Sequence, residues 1–171
     1  MYREMNINQI IKSRRTIHNF TSQKVPESII EEAISVANYA PCHKLTFPWR
    51  FYSIRKELRN KIIEEAINQK FDKQKDIKQI KLFHERLSKP SHLLIVSQRI
   101  ANDEIRRKED YAACCCCIQN LMISLSSVGI GSKWATGKLL ISPKIYQIIQ
   151  INKDMEELIG LIWIGYGTSD I

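Results

Sequence analysis

Apolar residues follow a helical spacing near the start of the chain and form short unbroken runs further along. Three isoleucines within residues 6–12 share one face of a predicted first helix. A second helix is predicted to begin at Pro26, because proline suits the first turn, and its apolar positions repeat every three to four residues through Ala37. Alternating or continuous apolar runs predict strands at residues 50–54, 93–96, 132–136 and 158–166.

Polar and charged segments separate these runs. Residues 57–68 are predicted to form a helix, whereas residues 70–89 are so polar that we expect a mobile or helical excursion that could act as a lid. Residues 102–110 begin the longest helix, and residues 142–149 form a short one. Since helices and strands do not alternate strictly, we predict an α+β fold, with helices packed on a central sheet, in one domain over residues 1–171.

The stretch from Tyr111 to Ile130 carries no charged side chain over 20 positions. This length matches a membrane-spanning helix. Gln119, Asn120 and three serines dilute its apolar character, so we favour a buried central helix and expect no membrane span. An apolar face of this size would also suit the interface of an obligate dimer, which resembles a hydrophobic core cut in half.

The chain of 171 residues is basic, with 26 lysines and arginines against 18 aspartates and glutamates and a net charge of +8. Acids are interspersed among the basic residues, which is typical of solvated helix faces, so nucleic-acid binding is the least favoured class and no nucleic-acid partner is expected. A basic surface also suits phosphorylated small molecules and cofactors. The N-terminus shows no apolar signal-peptide core, so a cytoplasmic location is expected.

Four of the five cysteines are consecutive, from Cys114 to Cys117. Adjacent positions on a helix point in different directions, so the block cannot form a disulfide framework. Metal sites normally use spaced cysteine or histidine pairs, and we expect no metal here. We therefore interpret these cysteines as small apolar helix residues in a reducing compartment.

The connection between the second helix and the first strand, APCHKLTFPWRF at residues 40–51, has an unusual composition. A connecting loop usually contains Gly, Asn, Asp and Ser. This loop places Cys42, His43 and Lys44 between two prolines, so it is stiff and presents polar side chains, as binding loops do. Simple surface exposure would also explain His43 and Lys44, and no base at a fixed spacing marks Cys42 as a nucleophile.

A basic cluster follows the first helix. Arg14, Arg15 and Thr16 supply two guanidiniums and a hydroxyl, which suit a phosphate group because arginine binds phosphate through two parallel hydrogen bonds. The alternative is a basic helix C-terminus, where the arginines only complement the helix dipole. The motif alone leaves both interpretations open.

A glycine-rich segment, GIGSKWATG at residues 129–137, follows the long helix and opens a strand. It is not a dinucleotide-binding fingerprint, since that motif follows a strand and opens a helix. The first two glycines are expected to allow a sharp exit from the helix and a close approach of the backbone to a ligand. Trp134 would present its ring at the strand end, or would simply pack in the core.

Taken together, these motifs resemble those of the nitroreductase family of flavoproteins, and most closely its short-chain NAD(P)H nitroreductase branch. The loop resembles the branch's A-P-x-H-K-x-x-x-P-W-R-F, and GIGSKWATG resembles the family's G-x-G-x-x-W-x-[ST]-G. SRRT near the N-terminus and LIWIGYGT at the end complete the set. Each motif is weak alone, but the four occur in the family's order across residues 7–168.

The resemblance implies a nitroreductase-like fold, with helices around a mixed, mainly antiparallel sheet. It also implies an obligate homodimer with FMN bound at two sites in the subunit interface. Eight residues of this chain would contact FMN: Arg14, Arg15 and Thr16 at its phosphate and ribityl end, Tyr39 and His43 beside it, and Trp134, Ala135 and Thr136 on its other side.

The implied activity is that of an oxidoreductase. NADH or NADPH would give a hydride to FMN and leave, and an electron-poor acceptor, such as a nitroaromatic, quinone or activated alkene, would then be reduced at the same face by a ping-pong mechanism. Since the flavin carries the redox chemistry, no side chain is expected to be a catalytic residue. Arg14 would have the secondary role of favouring negative charge on the flavin.

Two departures from the family pattern affect these expectations. Ala135 stands where close relatives carry arginine, so one phosphate contact would be missing. The chain ends at Ile171, without the arm that relatives extend to the partner subunit, so weaker dimerisation and FMN retention are expected. A flavin-binding or flavin-sequestering protein with little turnover is therefore the alternative function. The sequence selects neither the physiological acceptor nor NADH over NADPH.

Overall fold

The computed structural model describes residues 6–168. Within that range the chain forms seven α-helices, a short 3₁₀ turn at His43–Leu45 and four β-strands. The helices are α1 (Ile7–Ser13), α2 (Glu27–Ala37), α3 (Lys56–Lys70), α4 (Ile77–Ser88), α5 (Glu104–Ser127), α6 (Lys138–Ile141) and α7 (Pro143–Ile149). The strands are β1 (Trp49–Ser53), β2 (His92–Arg99), β3 (Gly131–Ala135) and β4 (Glu156–Gly165).

The four strands form one sheet in the order β1-β2-β4-β3, and every neighbouring pair is antiparallel. A mixed sheet was expected to contain some parallel pairing. Among the described residues, the parallel pairing is an isolated bridge between Thr16 and Ser132. That bridge matters for the site, because it attaches the segment after α1 to the start of β3. The α+β architecture predicted from the order of helices and strands is confirmed.

Helices cover both faces of the sheet. Leu94 and Ile162 face a core shared with α2 and α5. Leu93 and Leu161, their neighbours in the chain, face a second core formed with α3 and α7. Because alternate residues of a strand point to opposite faces, a strand buried on both sides needs an unbroken apolar run. This explains the continuous apolar segments of β2 and β4.

The end of β2 differs from its predicted position. β2 extends past the predicted residue 96 to Arg99, although Ser97 and Gln98 are polar. Both are buried because they hydrogen-bond to acids on β4: the Ser97 hydroxyl donates to Glu156, and Gln98 Nε2 donates to Glu157 Oε2 at 3.0 Å. Within residues 70–89, the structure forms α4, so the helical alternative for that segment is confirmed.

Helix α5 is the central helix that its uncharged stretch predicts. Asp103 caps it by accepting a hydrogen bond from Arg106 N at 2.7 Å. Cys114 and Cys117 are completely buried against the sheet, whereas Cys116 is exposed. Burial raises the pKa of Cys117 to about 12 and that of Cys114 further, so both remain neutral thiols. None of the helices in the described range has the length and apolar character needed to cross a membrane.

The end of α5 forms the predicted sharp exit. Gly129 has a φ of 77°, and Ile130 N donates to Leu125 O at 2.9 Å, which closes a left-handed cap. The turn brings the chain directly into β3 at the edge of the sheet.

Candidate functional site

The basic segment after α1 lies beside the start of β3. Ile17 N donates to Ser132 O at 3.1 Å, and Thr16 forms the parallel bridge to Ser132. A cavity of about 300 Å³ opens next to this contact. Arg14 and Arg15 line it, together with backbone-rich segments from Gly129 to Ser132 and from Gly167 to Thr168. Among the described residues that line this cavity there is no carboxylate.

The two arginines have different partners. Arg15 Nη1 donates to the carbonyls of Lys12 at 2.7 Å and Arg14 at 3.0 Å, so its guanidinium caps the C-terminus of α1. This contact matches the helix-end interpretation raised for the motif. Arg14 is half-buried, and no carboxylate among residues 6–168 lies within ion-pair distance of it. Arg14 is therefore the better placed of the two to bind an anion.

The close approach expected at the glycines of residues 129–131 is made by the protein itself. A Cβ added at Gly131 would lie 2.6 Å from Ile17 Cγ1 and 3.2 Å from Gly165 O. A side chain at this position would displace the segment that carries the arginines. Gly131 therefore positions the wall of the cavity, and the space above it is filled by Ile17.

Trp134 packs against the protein core that contains α2 and α5. Its Nε1 donates to Ile159 O at 3.2 Å, and the indole lies directly over Gly160. A Cβ at Gly160 would be 2.1 Å from Trp134 Nε1, so the ring occupies the space that a side chain would need. These contacts correspond to the core-packing alternative for Trp134.

Ala135 and Thr136 lie elsewhere, because β3 alternates and Ala135 points to the opposite sheet face from Trp134. Both line a cavity of about 350 Å³ between α3, α4 and the sheet. Its apolar wall includes Ile63 and Trp163, and lysines stand among its other lining residues. The cavities that contain Arg14 and Ala135 are distinct.

Tyr39 and His43 are strongly exposed on the connection between α2 and β1. Tyr39 is 86% exposed, and neither residue lines the cavity of Arg14 or that of Ala135. Leu45 and Phe47, on the same loop, are also exposed, at 71% and 49%. Large apolar side chains grouped on one loop are typical of a surface that a partner covers.

Despite its exposure, this loop is held in an unusual conformation. Lys44, Leu45 and Phe47 have φ angles of 56°, 51° and 43°, in the left-handed region that non-glycine residues rarely adopt. Such a residue costs about 1–3 kcal/mol unless its surroundings enforce it. The predicted stiffness of the loop thus comes from strained backbone as well as from its two prolines.

Side chains from other elements hold the loop in place. Buried Asp110, on α5, accepts hydrogen bonds from Thr46 Oγ1 at 2.9 Å and Arg106 Nε at 3.1 Å. The Arg99 guanidinium donates to the carbonyls of Thr46 and Phe47. Within the loop, Cys42 Sγ accepts from Phe47 N at 3.3 Å, which is a structural role for the thiol.

The eight predicted contact residues therefore fall into separate places on one chain. The structure places Arg14 and Arg15 on one cavity, whose described lining does not include Thr16, and it places Ala135 beside Thr136 on another. Tyr39 and His43 share the rim of one exposed loop region. Trp134 packs against the core. One chain does not gather these groups around a single cavity.

Sequence reasoning missed three cations that converge beside Ala135. Lys70 and Lys133 line its cavity, and Arg86 lines a larger adjoining one. Desolvation, together with the charges of Arg86 and Lys70, lowers the pKa of Lys133. Lys70 and Arg86 lie in residues 70–89, the polar segment for which a mobile or helical excursion is predicted. A lysine at position 133, inside an otherwise uncharged strand next to Trp134, was the one local signal.

Comparisons with known proteins agree with the geometry of the fold. The model of the nitroreductase family matches residues 11–166. A protein of Bacillus subtilis (strain 168), named "Putative NAD(P)H nitroreductase YfhC", is 32% identical over 164 residues, which cover 94% of this chain and 84% of that protein.

Solved structures show the same similarity. A nitroreductase-like family protein from Bacillus cereus has a TM-score of 0.86 and 28% identity, covering 99% of this chain and 89% of that one. A mutant form of NfnB, described as an FMN and NADPH-dependent nitroreductase from a Sphigopyxis strain, has a TM-score of 0.79 at 12% identity. It covers 97% of this chain and 90% of its own, and at that identity it supports the fold alone.

Proposed function

This chain belongs to the nitroreductase family, and from that premise we propose that it binds FMN at a site shared by two copies of the chain and reduces electron-poor acceptors by a ping-pong mechanism. Family membership makes it an FMN-type oxidoreductase that uses NAD(P)H. Nitroaromatics, quinones and activated alkenes are the proposed acceptors. Hydride transfer is chemistry that the flavin supplies when bound. The protein's contribution is to bind the flavin, orient it and shield it from water.

The observation that carries this proposal is the cavity beside Arg14. A phosphate group brings negative charge and needs donors without competing acceptors. The cavity offers the guanidinium of Arg14, the hydroxyl of Thr168 and the backbone around Gly129, and no carboxylate among its described lining residues. The residues present therefore fit the phosphate end of FMN. Arg15 would contribute charge at a greater distance while it caps α1.

The separation of the predicted contact residues supports a shared site. Tyr39 and His43 lie outside the cavity of Arg14 in the same chain, on a loop with exposed Leu45 and Phe47. A second copy of the chain would cover those apolar side chains and could present its own Tyr39 and His43 to the cofactor. We therefore propose a homodimer in which each FMN contacts residues of both chains.

Ala135 and Thr136 would lie along the other side of the flavin, at the mouth of the 350 Å³ cavity. Ala135 adds no charge there, so the cation beside it is Lys133, its strand neighbour on the same face. Trp134 would position the cofactor indirectly, because its packing over Gly160 fixes the strand that carries Ala135. In this arrangement the side chains position the cofactor and exclude water, and none forms a covalent bond.

The first experiment is an FMN titration of the protein with both arginines replaced, Arg14→Ala plus Arg15→Ala. The double variant is expected to weaken FMN binding by about 10- to 100-fold, because Arg14 would supply at least one charge-assisted hydrogen bond of about 1.5–3 kcal/mol, whereas Arg15 is already engaged with α1 and would add less. The single variants should be unequal, with Arg14→Ala the more damaging. Arg55→Ala is the matched control, because it removes an exposed arginine that follows β1, at the opposite edge of the sheet from β3. Unchanged FMN affinity in the double variant would refute the assignment.

A second measurement separates the enzyme from the alternative, a flavin-sequestering protein. The FMN-loaded protein is mixed with NADH or NADPH in a stopped-flow instrument, and the flavin absorbance is followed. Loss of the oxidised flavin band, and its return when a nitroaromatic is added, supports the reductase. A band that persists with both nucleotides supports a sequestering role instead.

A further inference from the structure

Two adjoining cavities meet at a group of three cations, here called the cation cluster: Lys70, Arg86 and Lys133. Lys133 and Lys70 line the 350 Å³ cavity, and Lys70 and Arg86 line a second cavity of about 600 Å³. The ring of Phe83 stands between them: Lys70 Nζ lies 4.9 Å and Arg86 Cζ 5.5 Å from its centroid. The cluster is thus a property of α3, α4 and β3 brought together by folding.

The cation cluster has no counter-charge among residues 6–168. None of its members lies within 4 Å of a carboxylate, although Glu85 stands on the wall of the larger cavity. Arg86 Nε is buried and lacks a hydrogen-bond partner within the described residues. Burial lowers the pKa of Lys133, and the charges of Arg86 and Lys70 lower it further. Lys70 is exposed, whereas Arg86 and Lys133 are partly buried, so an anion bound here would offset the repulsion among the three cations.

The 350 Å³ cavity also has an extensive apolar wall. Ile62, Ile63, Leu161 and Trp163 line it, and its volume lies within the range of small-molecule sites, about 300–1,000 Å³. A ligand that fits both features has a flat apolar body and an anionic group at one end. Inorganic phosphate would satisfy the cations but leave the apolar wall bare.

We propose that this cavity binds aromatic carboxylates, with the carboxylate at the cation cluster and the ring against Trp163, and that aromatic acids are thereby preferred acceptors. The second half of this inference rests on the proposed function, because it requires the flavin to lie along Ala135 and Thr136 at the mouth of the same cavity. The first half, binding of the acid, does not depend on turnover.

A nitrobenzoate gains two electrons in this step. One NAD(P)H supplies a hydride, and one proton is taken from solvent. The nitro group loses one oxygen as water and becomes a nitroso group, while NAD(P)H becomes NAD(P)⁺. The carboxylate stays unchanged and serves only as the handle.

Binding is tested with benzoate, which cannot be reduced, titrated into the FMN-loaded protein by calorimetry beside its neutral analogue benzamide. Benzoate is expected to bind at least about tenfold more tightly than benzamide, because two or more charge-assisted hydrogen bonds hold the acid. Lys133→Met and Arg86→Met are each expected to weaken benzoate binding about tenfold and to leave benzamide binding unchanged. Lys61→Met removes an exposed lysine from α3, outside the cation cluster, and should change neither.

Specificity is tested by comparing kcat/KM for 4-nitrobenzoate and 4-nitrobenzamide. The ratio should favour the acid in the natural chain and fall about tenfold in Lys133→Met, in step with benzoate affinity. The proposal is overturned if benzoate binds no better than benzamide, if both variants leave the preference intact, or if the variants lose FMN while retaining benzoate binding. A chain that binds benzoate but transfers no hydride would refute the proposed function and leave the binding site standing.

Discussion

The packing of Trp134 over Gly160 gives a sharp test of how the sheet edge is built. Gly160→Ala adds one methyl group that would lie 2.1 Å from Trp134 Nε1 and 2.5 Å from its Cδ1. Ordinary contacts between heavy atoms are about 3.5–4.0 Å, so the indole must move by more than about 1 Å. Such a movement also breaks the hydrogen bond from Nε1 to Ile159 O.

The expected loss follows from these two effects. Overpacking a well-filled core costs about 1–3 kcal/mol, and the lost indole hydrogen bond adds about 1 kcal/mol. Gly160→Ala should therefore lower the free energy of unfolding by about 2–4 kcal/mol. When Trp134→Ala has already removed the ring, the three atoms nearest to the added methyl group are gone. Its effect should then be close to zero, or slightly stabilising through a less flexible unfolded chain.

The assay is urea unfolding followed by far-ultraviolet circular dichroism, at fixed protein concentration and without FMN. Gly129→Ala is the matched control: its φ of 77° makes alanine unfavourable by about 1–2 kcal/mol, but no atom lies within 4 Å of the added methyl. The Gly129→Ala cost should be the same with and without Trp134. An equal cost for Gly160→Ala in both backgrounds would refute the packing argument.

Two further predictions concern α5. Asp110→Ala removes the acceptor shared by Thr46 and Arg106, so the free energy of unfolding should fall by about 2–3 kcal/mol. Amide hydrogen exchange should also accelerate at residues 42–47. Unchanged protection there would contradict the conclusion that Asp110 holds the loop in place. Burial raises the pKa of Cys117 from 9.0 to about 12, so between those pH values the folded state holds a proton that the unfolded chain loses. Stability should therefore fall as pH rises through that window, by up to about 1.4 kcal/mol per pH unit from this thiol. Cys117→Ala should reduce the slope but not remove it, because buried Cys114 has a raised pKa as well, and an unchanged slope in Cys117→Ala would disprove the assignment.

The parts of the fold that the sequence predicts well are those set by short-range patterns. The isoleucines of α1, the uncharged stretch of α5 and the glycine exit at Gly129 each specify local geometry, and the structure contains all three. The end of β2 was missed because Ser97 and Gln98 are polar. Their burial depends on Glu156 and Glu157, which are about sixty positions away in the chain and which no local pattern connects to β2.

The candidate site divides in the same way. The motif of Arg14 was visible because its residues are contiguous, and the structure adds only that Arg15 is partly engaged by α1. The cation cluster was not visible, since Lys70 and Lys133 come from separate elements and meet only after α3 packs on the sheet. A polar segment such as residues 70–89 can contribute one partly buried cation, here Arg86, and periodicity does not report which one.

The loop after α2 links the energetics of one chain to the proposed two-chain site. Three residues in left-handed conformations cost several kcal/mol in total, yet Leu45 stays 71% exposed, and Phe47, whose ring packs edge-on against Trp49, stays 49% exposed. Asp110, Arg106 and Arg99 nevertheless hold the strained conformation from outside the loop. A strained, exposed apolar loop lowers the stability of the single chain. It is favourable only when a partner binds it, because a preorganised loop loses less conformational entropy on binding. The same loop carries His43, so the surface that a second copy would cover is also the surface that would bring His43 to the cofactor.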